Sequence, residues 1–121
     1  MEYKIKSVAM YNGHSIKTNK MIDLGFKFAA DELQNCLKLI PCFNSNIEIY
    51  AKMSNIQNTL KLGTLMIKDY KIDKDANTTI KFHSQIDFVE INNISKLVGD
   101  ELIKLMFKAD LELEEDGNES N

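Results

Sequence analysis

Residues 103–113 read IKLMFKADLEL, and their pattern decides between a strand and a helix. Apolar side chains occupy every odd-numbered position from Ile103 to Leu113, and most of the even-numbered positions are charged. A period of two is typical of a strand that buries one face. The Leu, Lys, Glu and Ala content favours a helix, but a helix would place Asp110 among apolar neighbours. We therefore predict a strand, with a helix over residues 101–113 as the alternative.

The same alternation recurs along most of the chain and predicts six further strands. They lie at residues 3–11, 14–17, 22–28, 47–53, 60–73 and 80–88. The dipeptide Asn12-Gly13 between the first two predicts a two-residue hairpin turn, because both positions of such a turn need positive φ. The alternation changes phase near Gly63, which predicts a β-bulge, since one extra residue reverses the side-chain phase.

Two segments are predicted to be helical. Residues 31–40 place apolar side chains at helical spacing, and Pro41 cannot continue the helix. Asp31 is the expected N-cap of this amphipathic helix, with Gln34 reaching back to it. A short second helix is expected near residues 93–99.

These elements together predict an α+β fold. It is a mostly antiparallel β-sheet or a small, partly open barrel of about seven strands, with the helices segregated from the sheet. The first six elements are similar in order to those of an OB-fold barrel, a family of folds that binds single-stranded nucleic acids. The likeness is one of element order.

The length and the charge distribution predict one domain with an acidic tail. A chain of 121 residues suits a single globular domain, which we assign to residues 1–114, and residues 115–121 are expected to be disordered. Residues 110–121 carry six acids and no lysine, whereas residues 1–109 carry fifteen lysines and twelve acids. The net charge of −3 therefore combines a mildly basic body with an acidic tail.

The composition also indicates where the protein acts. Two cysteines are too few for a disulfide scaffold. The N-terminal residues do not resemble a signal peptide, and no window approaches the ~20 apolar residues that a membrane span needs. Ile, Lys and Asn supply 14, 15 and 12 residues, a skew that AT-rich codons give. We therefore expect a cytoplasmic protein of a bacterial host, without membrane association, encoded by a phage or a mobile element.

The sequence carries no motif that specifies an enzyme. The five glycines are scattered singly, so no loop has phosphate-cradling spacing, and neither a nucleophile elbow nor a His-Glu-x-x-His sequence is present. The stretch from Asp73 to Asn77 begins like a calcium loop but lacks the glycine and the distal glutamate. We expect no catalytic residue, no metal ligand and no cofactor.

Lysines interleaved with aromatic residues on strands are the best candidate for a binding site. Proteins that bind single strands stack bases on aromatic rings and hold the backbone with cations. The predicted set is Tyr50, Lys52, Lys68, Tyr70, Lys71, Lys81 and His83. Alternation also interleaves polar and apolar residues on any half-buried strand, so the same pattern is compatible with an ordinary solvated sheet.

Three functions are compatible with these patterns. The first is a non-enzymatic interaction protein that binds a host, defence or phage macromolecule, with a protein partner or a homo-oligomer. The alternative is an OB-like protein that binds single-stranded nucleic acid. All fifteen basic residues are lysine, so such a protein would lack the arginine contact that most often reads guanine. A second alternative is sequestration of a small nucleotide ligand.

Overall fold

The computed structural model describes residues 2–111, so the predicted disordered segment at residues 115–121 lies outside the described part. The strands are β1 (Glu2–Ile16), β2 (Met21–Phe28), β3 (Ile47–Lys52), β4 (Leu60–Ile72), β5 (Thr78–Gln85) and β6 (Leu102–Asp110). The helices are α1 (Leu33–Leu37) and α2 (Ile91–Ile94), with single 3-10 turns at Ala30–Glu32, Ile40–Cys42 and Ile86–Phe88.

The six strands form a closed antiparallel ring in the order β1-β2-β5-β4-β3-β6. The ring closes where β6 pairs with β1 over nine consecutive residue pairs, from Glu2 opposite Asp110 to Met10 opposite Leu102. The prediction of a mostly antiparallel α+β fold is confirmed, and residues 102–110 are a strand rather than a helix. A closed ring of six strands differs from the five-stranded, partly open OB barrel that the element order resembles.

The prediction of seven strands is wrong, because the first two are one strand. β1 continues through Asn12 and Gly13, and it pairs with β2 on both sides of a register shift. Gly13 has a φ of +95°, and positive φ at a glycine serves a bulge as well as a hairpin turn. The chain reverses instead after Lys17, whose backbone N–H donates to the carbonyl oxygen of Met21 at 2.8 Å.

The helical segments are shorter than predicted. A continuous helix over residues 31–40 is not formed, since α1 has five residues between two 3-10 turns. No side chain caps α1, so the cap expected from Asp31 is absent. The helix predicted near residues 93–99 lies at Ile91–Ile94. No helix within the described residues has the length and apolar character to span a bilayer.

The interior of the ring is filled by apolar side chains that alternate along each strand. Four phenyl rings are fully buried at its centre, and the rings of Phe82 and Phe107 stack with centroids 5.6 Å apart. Phe26 and Phe28 pack against this pair. The alternation in the predicted strand 80–88 places Phe88 on the same face as the buried Phe82. Phe88 is instead 60% exposed, because β5 ends at Gln85 and the chain turns away from the sheet.

A bulge at Gly63 joins the sheet to the segment before α2. The register between β3 and β4 shifts beside Gly63, as the phase change predicted. Gly63 forms an isolated bridge with Val89, and the Glu90 backbone N–H donates to the Leu62 carbonyl oxygen at 2.9 Å. The segment therefore covers the edge of β4 where β5 does not pair with it.

Replacing Gly63 with alanine should destabilise the fold by about 2 kcal/mol or more. Its φ is +142°, and an added Cβ would lie 2.6 Å from the Val89 Cα atom. Denaturant unfolding measures the loss. Gly25→Ala is the matched control, because Gly25 is also buried in a strand but an added Cβ there meets only ordinary contacts at 3.6 Å or more. Equal stability of the two variants would contradict this explanation.

Candidate functional site

The charges of the described residues are segregated between the wall of the barrel and its two ends. The strands carry ten lysines and five acids, a net charge of +5, whereas the turns, loops and helices carry five lysines and eight acids. Polar side chains of the strands point outward because the inward positions are filled by the core. The outer wall is therefore basic and the ends are acidic.

Six lysines lie together on one side of this wall. This surface, which we call the lysine face, is formed by the outward side chains of β1, β6, β3 and the start of β4. Its basic residues are Lys4, Lys6, Lys52, Lys61, Lys104 and Lys108, and its three acids are Glu2, Glu48 and Asp110. Across its middle, Met106 lies opposite Lys6 on one side and opposite Tyr50 on the other.

Two pairs of lysines lie directly opposite each other on neighbouring strands of the lysine face. Lys4 pairs with Lys108 across β1 and β6, and Lys52 pairs with Lys104 across β3 and β6. Like charges directly opposite each other in an antiparallel sheet are destabilising. The arrangement therefore works against the stability of the strand pairs that close the ring.

The lysines of these pairs are compensated unequally. Lys108 lies 3.9 Å from the carboxylate of Glu2, and the Lys52 ammonium donates to the carbonyl oxygens of Met53 and Ile56. Within residues 2–111, the ammonium groups of Lys4, Lys6 and Lys104 form no hydrogen bond or ion pair. These three ammonium groups can therefore bind an anion from outside the described residues.

Tyr50 is the aromatic residue at the centre of the lysine face. Its half-buried ring has two ammonium groups over it, that of Lys108 at 5.4 Å and that of Lys61 at 6.0 Å from the ring centroid. The hydroxyl donates a 2.8 Å hydrogen bond to Glu48, and this bond, more than burial, raises the pKa of Tyr50. The ring is thus held in place on the sheet and surrounded by cations.

A groove of about 490 Å³ crosses the lysine face, a volume within the range of small-ligand sites. Three lysines line it together with polar and apolar side chains. The lining includes Lys6, Val8, Glu32, Asn35, Tyr50, Lys52, Thr59, Lys104 and Met106. The groove extends from the α1 side of β1 to the loop before β4.

Glu32 fastens the helical segment that forms one wall of the groove. Its carboxylate accepts hydrogen bonds from the Ser7 hydroxyl at 2.7 Å, the Val8 backbone N–H at 3.1 Å and the Asn35 amide at 3.1 Å. These donors, the Ser7 hydroxyl first, hold the pKa of Glu32 below its usual value although burial acts against them. Val8 lies on the part of β1 that β2 does not reach, so Glu32 satisfies an open strand edge.

The ring separates the residues that the sequence pattern grouped into one site. Tyr50 and Lys52 lie on the lysine face, whereas Lys68, Lys71, Lys81 and His83 lie on the opposite wall, which β5 and the second half of β4 form. Sequence reasoning did not select Lys4, Lys6, Lys61, Lys104 or Lys108. The alternation places these lysines outward, but only the strand order brings them together.

The opposite wall differs from the lysine face because its lysine Lys68 is paired with a carboxylate. Asp23 is buried on β2, and its carboxylate lies 2.7 Å from the Lys68 ammonium and 3.5 Å from that of Lys17. Burial alone would raise the pKa of Asp23, but the two lysines outweigh it and hold the pKa below its usual value. Lys68 is therefore already engaged in an ion pair.

Tyr70 does not belong to an exposed surface. Its ring packs against Phe43 with centroids 6.1 Å apart, and its hydroxyl is buried without a hydrogen-bond partner in the described fold. Burial raises the pKa of Tyr70 to about 12. The expectation that Tyr70 offers an exposed platform is therefore wrong.

A buried thiol and possible metal ligands were the remaining candidates for a reactive site in the described part. Burial raises the pKa of the Cys36 thiol to about 11, which leaves it protonated at neutral pH and a poor nucleophile. Among residues 2–111, no group of three or more His, Cys, Asp or Glu side chains is placed to hold a metal ion. The lysine face is the arrangement in which charge, aromatic surface and a groove coincide.

Replacing Lys4 or Lys104 with glutamine should raise the free energy of unfolding by about 0.2–1 kcal/mol, because each change removes one like-charge pair. Thermal and denaturant unfolding measure the gain, which salt should reduce. Lys27→Gln is the control: Lys27 is also an exposed strand residue, but it lies opposite Met10 and Thr79. A stability loss in the first two variants would contradict the assigned repulsion.

Replacing Glu32 with glutamine should lower the free energy of unfolding at neutral pH by about 1 kcal/mol. Hydrogen bonds to a charged group contribute more than this when buried, but Glu32 is partly exposed and solvent weakens them. The folded-state pKa is lowered, so the contribution is present above the unfolded value of about 4.3 and is lost as pH falls through the folded pKa. The two proteins should therefore converge in stability once the pH has fallen below the folded-state pKa of Glu32. Asp31→Asn, at an exposed neighbour, is the control, and a difference that persists in acid would contradict the assignment.

No protein-family model matches the chain, and no curated protein matches it either. Family membership therefore contributes nothing to the assignment of function.

Proposed function

We propose that the protein binds single-stranded nucleic acid through the lysine face, without reading the base sequence. The observation that supports the proposal is that lysines lie directly opposite each other at two places, Lys4 with Lys108 and Lys52 with Lys104. Tyr50 and Met106 lie in the row between these two lysine pairs. The repulsion between these ammonium groups lowers the stability of the free protein. Phosphates that lie between the ammonium groups would relieve this repulsion. An anionic polymer supplies such phosphates at regular spacing.

The chemistry of the face favours a single strand over a duplex. A positively charged groove that follows the backbone, with an aromatic ring on which a base can stack, is typical of single-strand binding. Tyr50 and Met106 supply the apolar surface, and Lys6 and Lys104 flank it. The absence of arginine from the sequence removes the usual bidentate contact with guanine. Binding should therefore be insensitive to sequence and strongly dependent on salt.

The interaction-protein hypothesis and the nucleotide-sequestering hypothesis stay predictions. Several apolar side chains are exposed beside α1, among them Leu37, Ile40 and Phe43, but nothing about them specifies a partner. A groove of about 490 Å³ would also fit a free nucleotide. We favour the single strand because only three of the six lysines line the groove, and Lys4, Lys61 and Lys108 continue the basic surface beyond it. The proposal includes a non-enzymatic role in the cytoplasm of a bacterial host, as an accessory protein of a phage or mobile element.

Neutralising the lysine face should weaken binding of a labelled 30-mer of single-stranded DNA, measured by fluorescence anisotropy across a salt series. The double variant Lys4→Gln/Lys104→Gln should bind more weakly at low salt. Its plot of log affinity against log salt should be less steep by about 1.4, since each phosphate contact contributes about 0.7 for single strands. Both side chains are exposed, so folding should be retained.

The matched control is Lys71→Gln/Lys81→Gln, which removes the same charge from two exposed strand lysines on the opposite wall. Its affinity and salt slope should stay near those of the unmodified protein. The proposal fails if neither double variant changes binding, if the unmodified protein does not bind at low salt, or if the control loses as much affinity as the lysine-face variant.

The aromatic contribution is tested at Tyr50. Replacing it with alanine should lower the affinity by about 5- to 150-fold, the loss of one stacked base at about 1–3 kcal/mol, without a change in the salt slope. Tyr50→Phe keeps the ring but removes the hydroxyl that bonds Glu48, and it should bind nearly normally. Equal loss in both variants would show that the ring is not a stacking platform.

A further inference from the structure

Residues 112–121 carry a charge opposite to that of the lysine face. They include five acids, Glu112, Glu114, Glu115, Asp116 and Glu119, and no basic residue. The lysine face carries six lysines against three acids, and three of its ammonium groups have no charge partner among the described residues. Opposite charges attract strongly when they are closer than the Debye length of about 10 Å, because salt screens them only weakly at that distance.

The chain leaves the barrel at the edge of the lysine face. β6 ends at Asp110, directly opposite Glu2. A hollow of about 500 Å³ lies at this place, and its lining includes Glu2, Glu48, Lys108 and Asp110. Three of these four side chains are acidic, so further acids are repelled from the hollow. The nearest uncompensated cations lie beyond it, along β6 and β1.

The length of the segment suffices to reach these cations. Lys104 precedes Asp110 by six residues on β6, roughly 20 Å at about 3.3 Å per strand residue. Ten extended residues span up to about 33–36 Å. The ends of the barrel are acidic, and Lys68 on the opposite wall is already paired with Asp23. Reach and charge therefore favour the groove with Lys6 and Lys104 over other surfaces.

We propose that residues 112–121 bind the lysine face of their own chain and compete there with single-stranded nucleic acid. The competition rests on the proposed function, whereas the contact itself does not. The segment acts as an intramolecular anion that lowers the affinity for weak or short ligands. A long single strand displaces it, because many phosphates replace few carboxylates.

The test keeps the full chain and neutralises the five acids by Glu112→Gln, Glu114→Gln, Glu115→Gln, Asp116→Asn and Glu119→Gln. The matched control neutralises five exposed acids at the ends of the barrel by Asp31→Asn, Asp75→Asn, Asp87→Asn, Glu90→Gln and Asp100→Asn. Both variants gain the same charge. Two measurements are made on each: the affinity for the 30-mer, and the NMR signal of the Met106 methyl group without nucleic acid.

We expect the first variant to bind roughly tenfold more tightly at low salt, with a gain that fades as salt rises, and to shift the Met106 signal. The control should change the affinity less than about twofold and leave Met106 unmoved. The inference is overturned if Met106 does not shift and both variants gain affinity equally. If Met106 shifts but no protein binds the 30-mer, the contact stands and the proposed function fails. If binding depends on Lys4 and Lys104 but the two variants behave alike, the proposed function stands and the inference fails.

Discussion

The pairing of β1 with β6 is the constraint on which the rest of the structure depends. Its nine residue pairs close the ring, and its register decides which side chains face outward. Because side chains alternate with a period of two, a slip of one residue would turn Lys104 and Lys108 into the core and expose Phe107. The buried ring of Phe107, stacked on Phe82, therefore fixes the positions of the lysines on the other face of the same strand.

β6 lies between β1 and β3, so one strand sets both opposed lysine pairs. Lys108 meets Lys4, and Lys104 meets Lys52. A surface shaped for stability alone would alternate the signs of charge across these strands. Acids offset part of this charge, since Glu48 lies opposite Lys108 and Glu2 lies 3.9 Å from it, but each of the two lysine pairs still places like charges directly opposite each other. Under the proposed function, stability and binding make opposite demands on the same residues, and the core supplies the stability that the lysine face gives up.

The sequence pattern predicts most of the strands because each is half-buried and therefore alternates. It predicts β6 over the competing helix, and the phase change at Gly63 predicts the bulge. The pattern fails where one local signal has two structural uses. Gly13 with positive φ suits a hairpin turn and a bulge equally, and only the pairing of β1 with β2 on both sides of it decides. Apolar residues at helical spacing in residues 31–40 are buried by three short turns as well as by one helix.

The candidate site depends on information that lies outside any one strand. Alternation predicts that Tyr50 and Lys52 point outward, and they do so on the lysine face. It gives no strand order, so Lys81 and His83 were grouped with residues that lie on the opposite side of the ring. Tyr70 follows the second register shift of β4, between Ile67 and Asp69, and this shift turns its side chain toward the core. The partners of a surface residue are set by long-range pairing, which residue spacing does not encode.

The most direct measurement of the central claim is a titration of protein labelled at the methionine methyl groups with a 30-mer of single-stranded DNA, followed by NMR. Met106 lies at the centre of the lysine face, and Met66 lies on the opposite wall beside His83. We predict that the Met106 signal moves with increasing DNA and that the Met66 signal stays in place. Movement of Met66 with Met106 fixed, or no movement of either signal at low salt, would contradict the assignment of the lysine face as the binding surface.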